Sequence, residues 1–479
     1  MTLNSAIYAS IGLLCCTSAM AQFTVLHSFT SAEGTDPSVY SALATDGIAL
    51  YGTARQRGPG LAEGTVFRLN LSDLSFTVLH VFTNSPDGST PSCGLVVQGS
   101  TIYGSTEAGG PSPGLGLLFT MNTNGENFSV LHSFHGSLDG RTPRGDLLLA
   151  DGRLYGTTCF GGIWGQGVIF SVNTNGSDFT VLHHFTSYNP NFGRYDGGIP
   201  FAGLTLVGET LYGTTTEGGT NNINVYQGGT VYKLHTNGTG YTILHSFTNY
   251  PAPDGIRPFG RLVVNGDTLY GTTEAGSTNE SSTHYGSIFS LNTNGENFKV
   301  IHTFDPFMHG DGGNPFAGLT LAGNRLYGTA TQGGIVGVPR YGVLFSFKTD
   351  GSDYTITHPF TNGFTGANPA SELLLYEGAL YGTTGGGGAG AMSSNNPTGS
   401  YGTIFKLPLT AQFFLRTSNF DGGIFISWQN DGLNHILQTT TNLATDSWAD
   451  LAPNWTNLSQ IGLLITNTAV LPQAFFRLH

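Results

Sequence analysis

Seven histidines recur along the chain, at His27, His80, His132, His183, His245, His302 and His358, each closing a Val-Leu-His tripeptide or a near copy. Imidazoles bind metals and move protons, so such a set suggests metal or acid–base chemistry. The spacing opposes it. One histidine per repeat lies on a circumference, whereas a metal needs its ligands within about 2.0–2.2 Å. The expected role is a hydrogen bond between neighbouring repeats. The acids of Asp-Gly-x-x-Pro at Asp87, Asp139, Asp196, Asp254 and Asp311 are likewise expected to shape turns. A calcium role for one or two of these loops stays open, since carboxylate oxygens are its ligands. No Ser-His-Asp motif, HExxH or Gly-x-Ser-x-Gly is present. No metal, cofactor or catalytic residue is expected.

These residues must be placed by the repeat that carries them. Leu-Tyr-Gly-Thr recurs at Tyr51, Tyr103, Tyr155, Tyr212, Tyr270, Tyr327 and Tyr381, at separations of 52, 52, 57, 58, 57 and 54 residues. That period suits propeller blades. Each unit reads as four strands, A to D. In the second unit they are Gly94-Leu95-Val96-Val97, Thr101-Ile102-Tyr103-Gly104, Gly116-Leu117-Leu118-Phe119 and Phe128 to Phe134. Simple alternation puts Phe128, Val130, His132 and Phe134 on one face of strand D. Thr123-Asn124-Gly125 joins C to D, and Asn-Gly is a strong hairpin signal. The chain opens with a lone strand D at residues 23–29 and ends its repeats on A, B and C. Seven blades balance only if the first strand completes the last blade, which removes an exposed sheet edge. The expected fold is all-β: a seven-bladed β-propeller over 22–408, then a small β-sandwich over 410–479.

The A–B and C–D hairpins are fixed in length. The B–C and D–A loops vary, and they share one face of a propeller; variable loops on a fixed scaffold carry function. The binding candidates there are Trp164, Tyr285, Tyr341, Arg340, Arg194 and Tyr195, because aromatics stack on sugars or peptides and polar groups orient them. Trp164 is the expected anchor. The glycine-rich loop from Gly385 to Tyr401 is expected to be mobile and to close beside Trp164, Tyr285 and Tyr341. Glu217 and Glu274 are read as one repeat position, with Glu107 in a third copy, and form the plausible carboxylate pair for a glycan-active alternative. Just before the first leucine of strand A stand Ala42, Gly94, Asp146, Gly203, Arg261, Gly318 and Glu372. Asp146, Arg261 and Glu372 should therefore line the channel, as ion pairs in preference to an acid–base set.

Composition narrows the partners. Of 479 residues, 71 are glycine and only 10% are charged, with Lys plus Arg 17 against Asp plus Glu 30. A net charge of −13 argues against nucleic acid, whose phosphates need a basic face. No stretch after residue 21 is long and apolar enough to span a bilayer. Residues 1–21 read as a signal peptide: Ile11 to Cys16 is apolar, and Ala19-Met20-Ala21 is an A-x-A cleavage site, although the n-region has no Lys or Arg. Cleavage would leave Cys93 and Cys159, for which a disulfide is possible but not implied. The expectation is a secreted or cell-surface monomer, with an extracellular polysaccharide or a cell-surface protein as partner.

The unit Pro-x-x-x-Leu…Leu-Tyr-Gly-Thr-Thr-x-x-Gly-Gly…Gly-x-Ile-Phe…Thr-Asn-Gly…Phe-x-Val-Leu-His-x-Phe resembles the GloVer tandem repeat of secreted bacterial proteins. Good copies stand at Leu154 to Thr158 and Leu211 to Thr215, while Ala54 departs from the pattern in the first. The glycine pair after strand B is similar, more loosely, to kelch propellers. The resemblance implies a secreted repeat protein, often with a separate C-terminal domain, and no catalytic residues. Leu437-Gln438…Asn442-Leu443…Trp448…Phe475 to Leu478 resembles the small C-terminal β-sandwich common on such exported proteins.

Overall fold

The computed structural model describes residues 23–409, except 38–39, 57–62, 187–194, 220–227, 249–253, 277–284, 307–308, 335–340, 362 and 389–400, and the backbone of six strands between 416 and 478. The signal-peptide reading, Arg340, Arg194 and the glycine-rich loop beyond residue 388 lie outside the described residues, as does the side chain of Tyr195.

Seven antiparallel blades form the first unit, Phe23–Leu321 with Arg325–Leu407. In the second blade the strands are Val96–Gln98, Thr101–Thr106, Leu117–Asn122 and Ser129–Ser133. The last blade takes Leu374–Tyr376, Ala379–Thr384 and Thr403–Pro408, and its fourth strand is Thr24–Ser28, with Val25 opposite Phe405. The two ends of the ring are thus tied by strand pairing, as the repeat phase requires.

The repeat residues are the joints between blades. The leucine of Leu-Tyr-Gly-Thr is fully buried, and its glycine leaves room for the strand C ring; a Cβ at Gly104 would meet Phe119. The threonine donates to the next blade: Thr157 Oγ1 to Ala202 O at 3.1 Å, Thr329 Oγ1 to Ser371 O at 3.0 Å. Each repeat proline packs over the glycine that opens strand C of the preceding blade. A Cβ at Gly116, where φ is +97°, would lie 2.7 Å from Pro143 Cδ. The same contact joins Gly402 of the last blade to Pro37 of the first. In all seven blades the residue before this proline is non-glycine with φ between +51° and +59° (Asp36, Thr90, Thr142, Ile199, Arg257, Asn314, Asn368). Such a backbone is costly and persists only where its surroundings hold it. Here hydrogen bonds do so: Asn314 N donates to Tyr285 O at 2.7 Å and Asn368 N to Tyr341 O at 2.8 Å.

The histidines occupy the outer joints. Each stacks on the first aromatic of the next outer strand, from His27 on Phe76 at 4.0 Å round to His358 on Phe23 at 3.7 Å. Six lie 2.9–3.3 Å from a carboxylate, Glu33 or the repeat aspartate. The aspartate also accepts from the turn, as Thr83 N and Oγ1 donate to Asp87. Among the described residues His358 has no acid: its turn uses Thr365 instead, and its Nε2 is buried without a hydrogen-bond partner.

Simple alternation on strand D does not hold. In every blade the register shifts between the valine or isoleucine position and the histidine, so Val130 faces Phe119 and His132 faces Leu118. This bulge adds one residue and turns the strand locally. Val130 is exposed, while Leu131 packs on the neighbouring core. Cys93 and Cys159 are separate buried free thiols: Cys93 Sγ is 3.2 Å from Pro143 O, and burial pushes the Cys159 thiol up to about 12.

The C-terminal strands belong to a second unit. Arg416–Phe420, Gly423–Trp428 and Ile461–Ile465 make one antiparallel sheet; Leu437–Thr440, Ala449–Asp450 and Phe475–Leu478 make another.

Candidate functional site

Strand A enters the ring from the face of the D–A loops, and two of its positions meet at the axis. The deeper one holds the three expected channel charges. Arg261 of the fifth blade donates to Glu372 of the seventh, passing Gly318, where a Cβ would lie 2.9 Å from Glu372 Oε2. Asp146 accepts from Gly94 N at 2.6 Å and from the Ala42 backbone. Burial, then the charge of Glu372, pushes the Asp146 carboxyl up to about 6. Asp146 packs closely on the second blade: a Cβ at Gly94 would be 2.8 Å from Asp146 Oδ1. Arg261 and Glu372 thus form an ion pair, while Asp146 is held by backbone N–H groups.

Two residues earlier, at the mouth, stand Tyr40, Ser92, Arg144, Phe201, Phe259, Phe316 and Ala370. Four are aromatic and in contact. Phe201 meets Phe259 at 4.6 Å and Phe259 meets Phe316 at 5.5 Å. Tyr40 reaches across the axis to Phe201 at 5.7 Å and Phe316 at 5.4 Å. All four are half-buried, so ring surface is left for solvent. Tyr40 has φ +72°, outside the range of bulky residues, and is held by its N–H to Ala370 O. Guanidinium groups extend the floor: Arg144 lies 4.3 Å over Phe201 and Arg257 5.2 Å over Phe259.

Carboxylates rim this floor. Glu107 is buried and takes Arg144 Nε at 2.6 Å, Arg55 Nη2 at 3.5 Å and the Ser92 hydroxyl. Glu274 Oε2 lies 3.0 Å from Arg257 Nη1, without hydrogen-bond geometry. Burial raises the carboxyls of Glu274 and Glu217, against a smaller opposing effect of Arg257.

The carboxylate pairing needs one correction. Glu107 N and Glu274 N donate to the pre-proline carbonyls of Thr90 and Arg257. In the fourth blade Thr216 makes this bond, to Ile199 O. Glu217 is one residue further on, in a short ladder where it opposes Gly198. Thr216 stands where the other two blades have the glutamate, and Glu217 stands where they have Ala108 and Ala275.

Among the other candidates, Trp164 is 52% exposed at a turn with Ile163 and near exposed Leu138, whose loop is joined to it through Gly162 N and Gly136 O. Tyr285 and Tyr341 occupy equivalent joint positions, and the Tyr285 ring packs against the core of the fifth and sixth blades. No described contact brings Trp164, Tyr285 and Tyr341 together. The mouth aromatics were missed by sequence reasoning. Their signal is Pro-Phe, three times over, at Pro200-Phe201, Pro258-Phe259 and Pro315-Phe316.

A family model described as the Gloeobacter/Verrucomicrobia repeat matches residues 12–226 and 222–440. No curated protein matches the sequence. Among solved structures, the chain is similar to an oligogalacturonate lyase from Vibrio parahaemolyticus at 12% identity and TM-score 0.48, covering 80% of this chain and 92% of that one. It is also similar to a GH74 enzyme from Niastella koreensis at 15% identity and TM-score 0.47, covering 85% and 59%. A nidogen/laminin complex matches at 19% identity and TM-score 0.35, covering 56% and 80%. These likenesses concern the fold alone.

Proposed function

The chain belongs to the Gloeobacter/Verrucomicrobia repeat family, and from that premise we propose that it is a secreted or cell-surface binding module that takes a glycan chain on its variable-loop face. The aromatic floor of Tyr40, Phe201, Phe259 and Phe316 carries this reading. Half-buried rings flanked by polar groups suit sugar faces, which stack on aromatics and are oriented by hydrogen bonds. Trp164, exposed further out on the same face, adds an outlying contact. Export rests on the Ala19-Met20-Ala21 site.

Titration of the intact protein with a panel of polysaccharides tests the reading. At least one should bind, and Phe259→Ala should weaken it by roughly 1–3 kcal/mol with unchanged circular dichroism. Failure of every glycan to bind, or binding indifferent to Phe259→Ala, contradicts it. A second reading, a glycan-active hydrolase or lyase, is favoured by one observation: the raised carboxyls of Glu217 and Glu274 on this rim. Turnover of a bound chain that Glu274→Gln abolishes would establish it.

A further inference from the structure

The floor is not uniform around the mouth. Blades four, five, six and one supply rings, while blades one to three supply Arg55, Ser92, Glu107 and Arg144. Among the described residues two guanidinium groups share a single carboxylate, an excess of one positive charge in a chain of net −13. Arg144 spends Nε on Glu107. Arg55 reaches Glu107 only at 3.5 Å through Nη2, and its Nε is buried with no hydrogen-bond partner. A buried N–H donor without an acceptor is costly, and for a charged group more so. The side chains are about three-quarters covered, at 26% and 21% exposure, yet open to solvent. The charge is contiguous with the floor, because Arg144 stacks on Phe201, which touches Tyr40.

We propose that this sector binds the oxyanion of an acidic glycan, a uronate carboxylate or a sulfate ester, while the sugar ring that bears it lies on the aromatic floor. The proposal rests on the glycan-binding reading and names its ligand class. An oxyanion supplies the second negative charge that the two guanidinium groups, which share Glu107, lack. Guanidinium forks suit such groups. Of the other rim acids, Glu274 lies 3.0 Å from Arg257, which offsets its charge, and charges beyond a Debye length of about 8 Å are largely screened at physiological salt.

The test is calorimetric titration of the full chain with polygalacturonate, dextran sulfate and neutral dextran, on wild type, Arg55→Gln, Arg144→Gln and Glu107→Gln. Wild type should bind an acidic chain at least tenfold more tightly than dextran; which acidic chain wins identifies the oxyanion. Arg55→Gln and Arg144→Gln should each remove most of that preference. Glu107→Gln deletes the competing carboxylate while keeping an acceptor for Ser92, and should strengthen acidic binding severalfold. The opposite signs separate ligand contact from simple damage to the cluster, and Arg55→Gln keeps the test open if Arg144→Gln fails to fold. Equal affinity for acidic and neutral chains overturns the oxyanion proposal and leaves the glycan reading standing. No binding by any chain, here and across the wider panel, overturns both.

Discussion

At the scale of single residues, the side chains that every blade needs make the joints, while the residues proposed to bind vary between blades. His80, Pro143 and Gly116 have counterparts in other blades and make joints; Tyr40, Arg144 and Trp164 stand in for smaller or different residues at their positions and face solvent. Trp164 is the simplest case. Half of its surface is exposed, so removing the ring should cost the fold little. We expect Trp164→Ala to leave the melting temperature within about 2 °C, consistent with a surface change of under about 0.5 kcal/mol. Affinity for a long glycan chain should fall by roughly 1–3 kcal/mol, and that for a short one by less, since Trp164 is an outlying contact. Loss of near-UV signal on substitution would instead show that the indole is core.

At the scale of elements, the joint between blades is one unit made of a proline, a strand-opening glycine and a strained pre-proline residue. Gly116→Ala tests it. The positive φ and the close approaches to Thr106 O and, at 2.7 Å, to Pro143 Cδ penalise a methyl group, and the effects together should cost about 2–4 kcal/mol in urea unfolding. An exposed turn glycine such as Gly152, which has nothing within 4 Å of a Cβ, should lose less on the same substitution. Equal losses would show that strain alone, without the close contacts of the joint, sets the cost. These joints were legible in the sequence as fixed spacings, because sevenfold repetition exposes any residue that every blade needs. The mouth was not legible for the converse reason. Its residues differ from blade to blade, and Tyr40 lies in a unit where proline and tyrosine are 14 apart instead of 12. The bulge in strand D was also hidden, since Val-Leu-His reads as plain alternation until the ladder is seen. The rim carboxylates were half legible: Glu107 and Glu274 align, whereas Thr216 holds their position in the fourth blade and Glu217 the next one.

At the scale of the whole molecule, the ring is closed by strand pairing at Thr24–Ser28 and by the stack of His358 on Phe23. Among the described residues, this junction is the one where the repeat histidine lacks an acid. Burial lowers the His358 value to about 4, below its ordinary 6.5. The unfolded chain therefore takes up this proton first. The neutral imidazole contributes stability fully above about pH 6.5, and that contribution is lost as pH falls toward 4. Discounted for its exposure, the loss is about 1–2 kcal/mol. Asp146, raised to about 6, works in the opposite direction, favouring the fold as pH falls through 6. The comparison is therefore made against His358→Phe, which keeps the stack and leaves Asp146 in place. Wild type should lose about 1–2 kcal/mol relative to this variant between pH 7 and pH 4. Parallel curves would show that the seam does not titrate. The ring exists, on this account, to hold one face, and hydrogen exchange with and without a bound acidic glycan reads that face directly. Protection should gather in the segments around Tyr40, Arg144, Phe201, Phe259 and Phe316, where strand A enters the ring. Protection centred on the Asn-Gly hairpins, such as Asn124-Gly125 and Asn175-Gly176, would place the ligand on the opposite face and contradict the account.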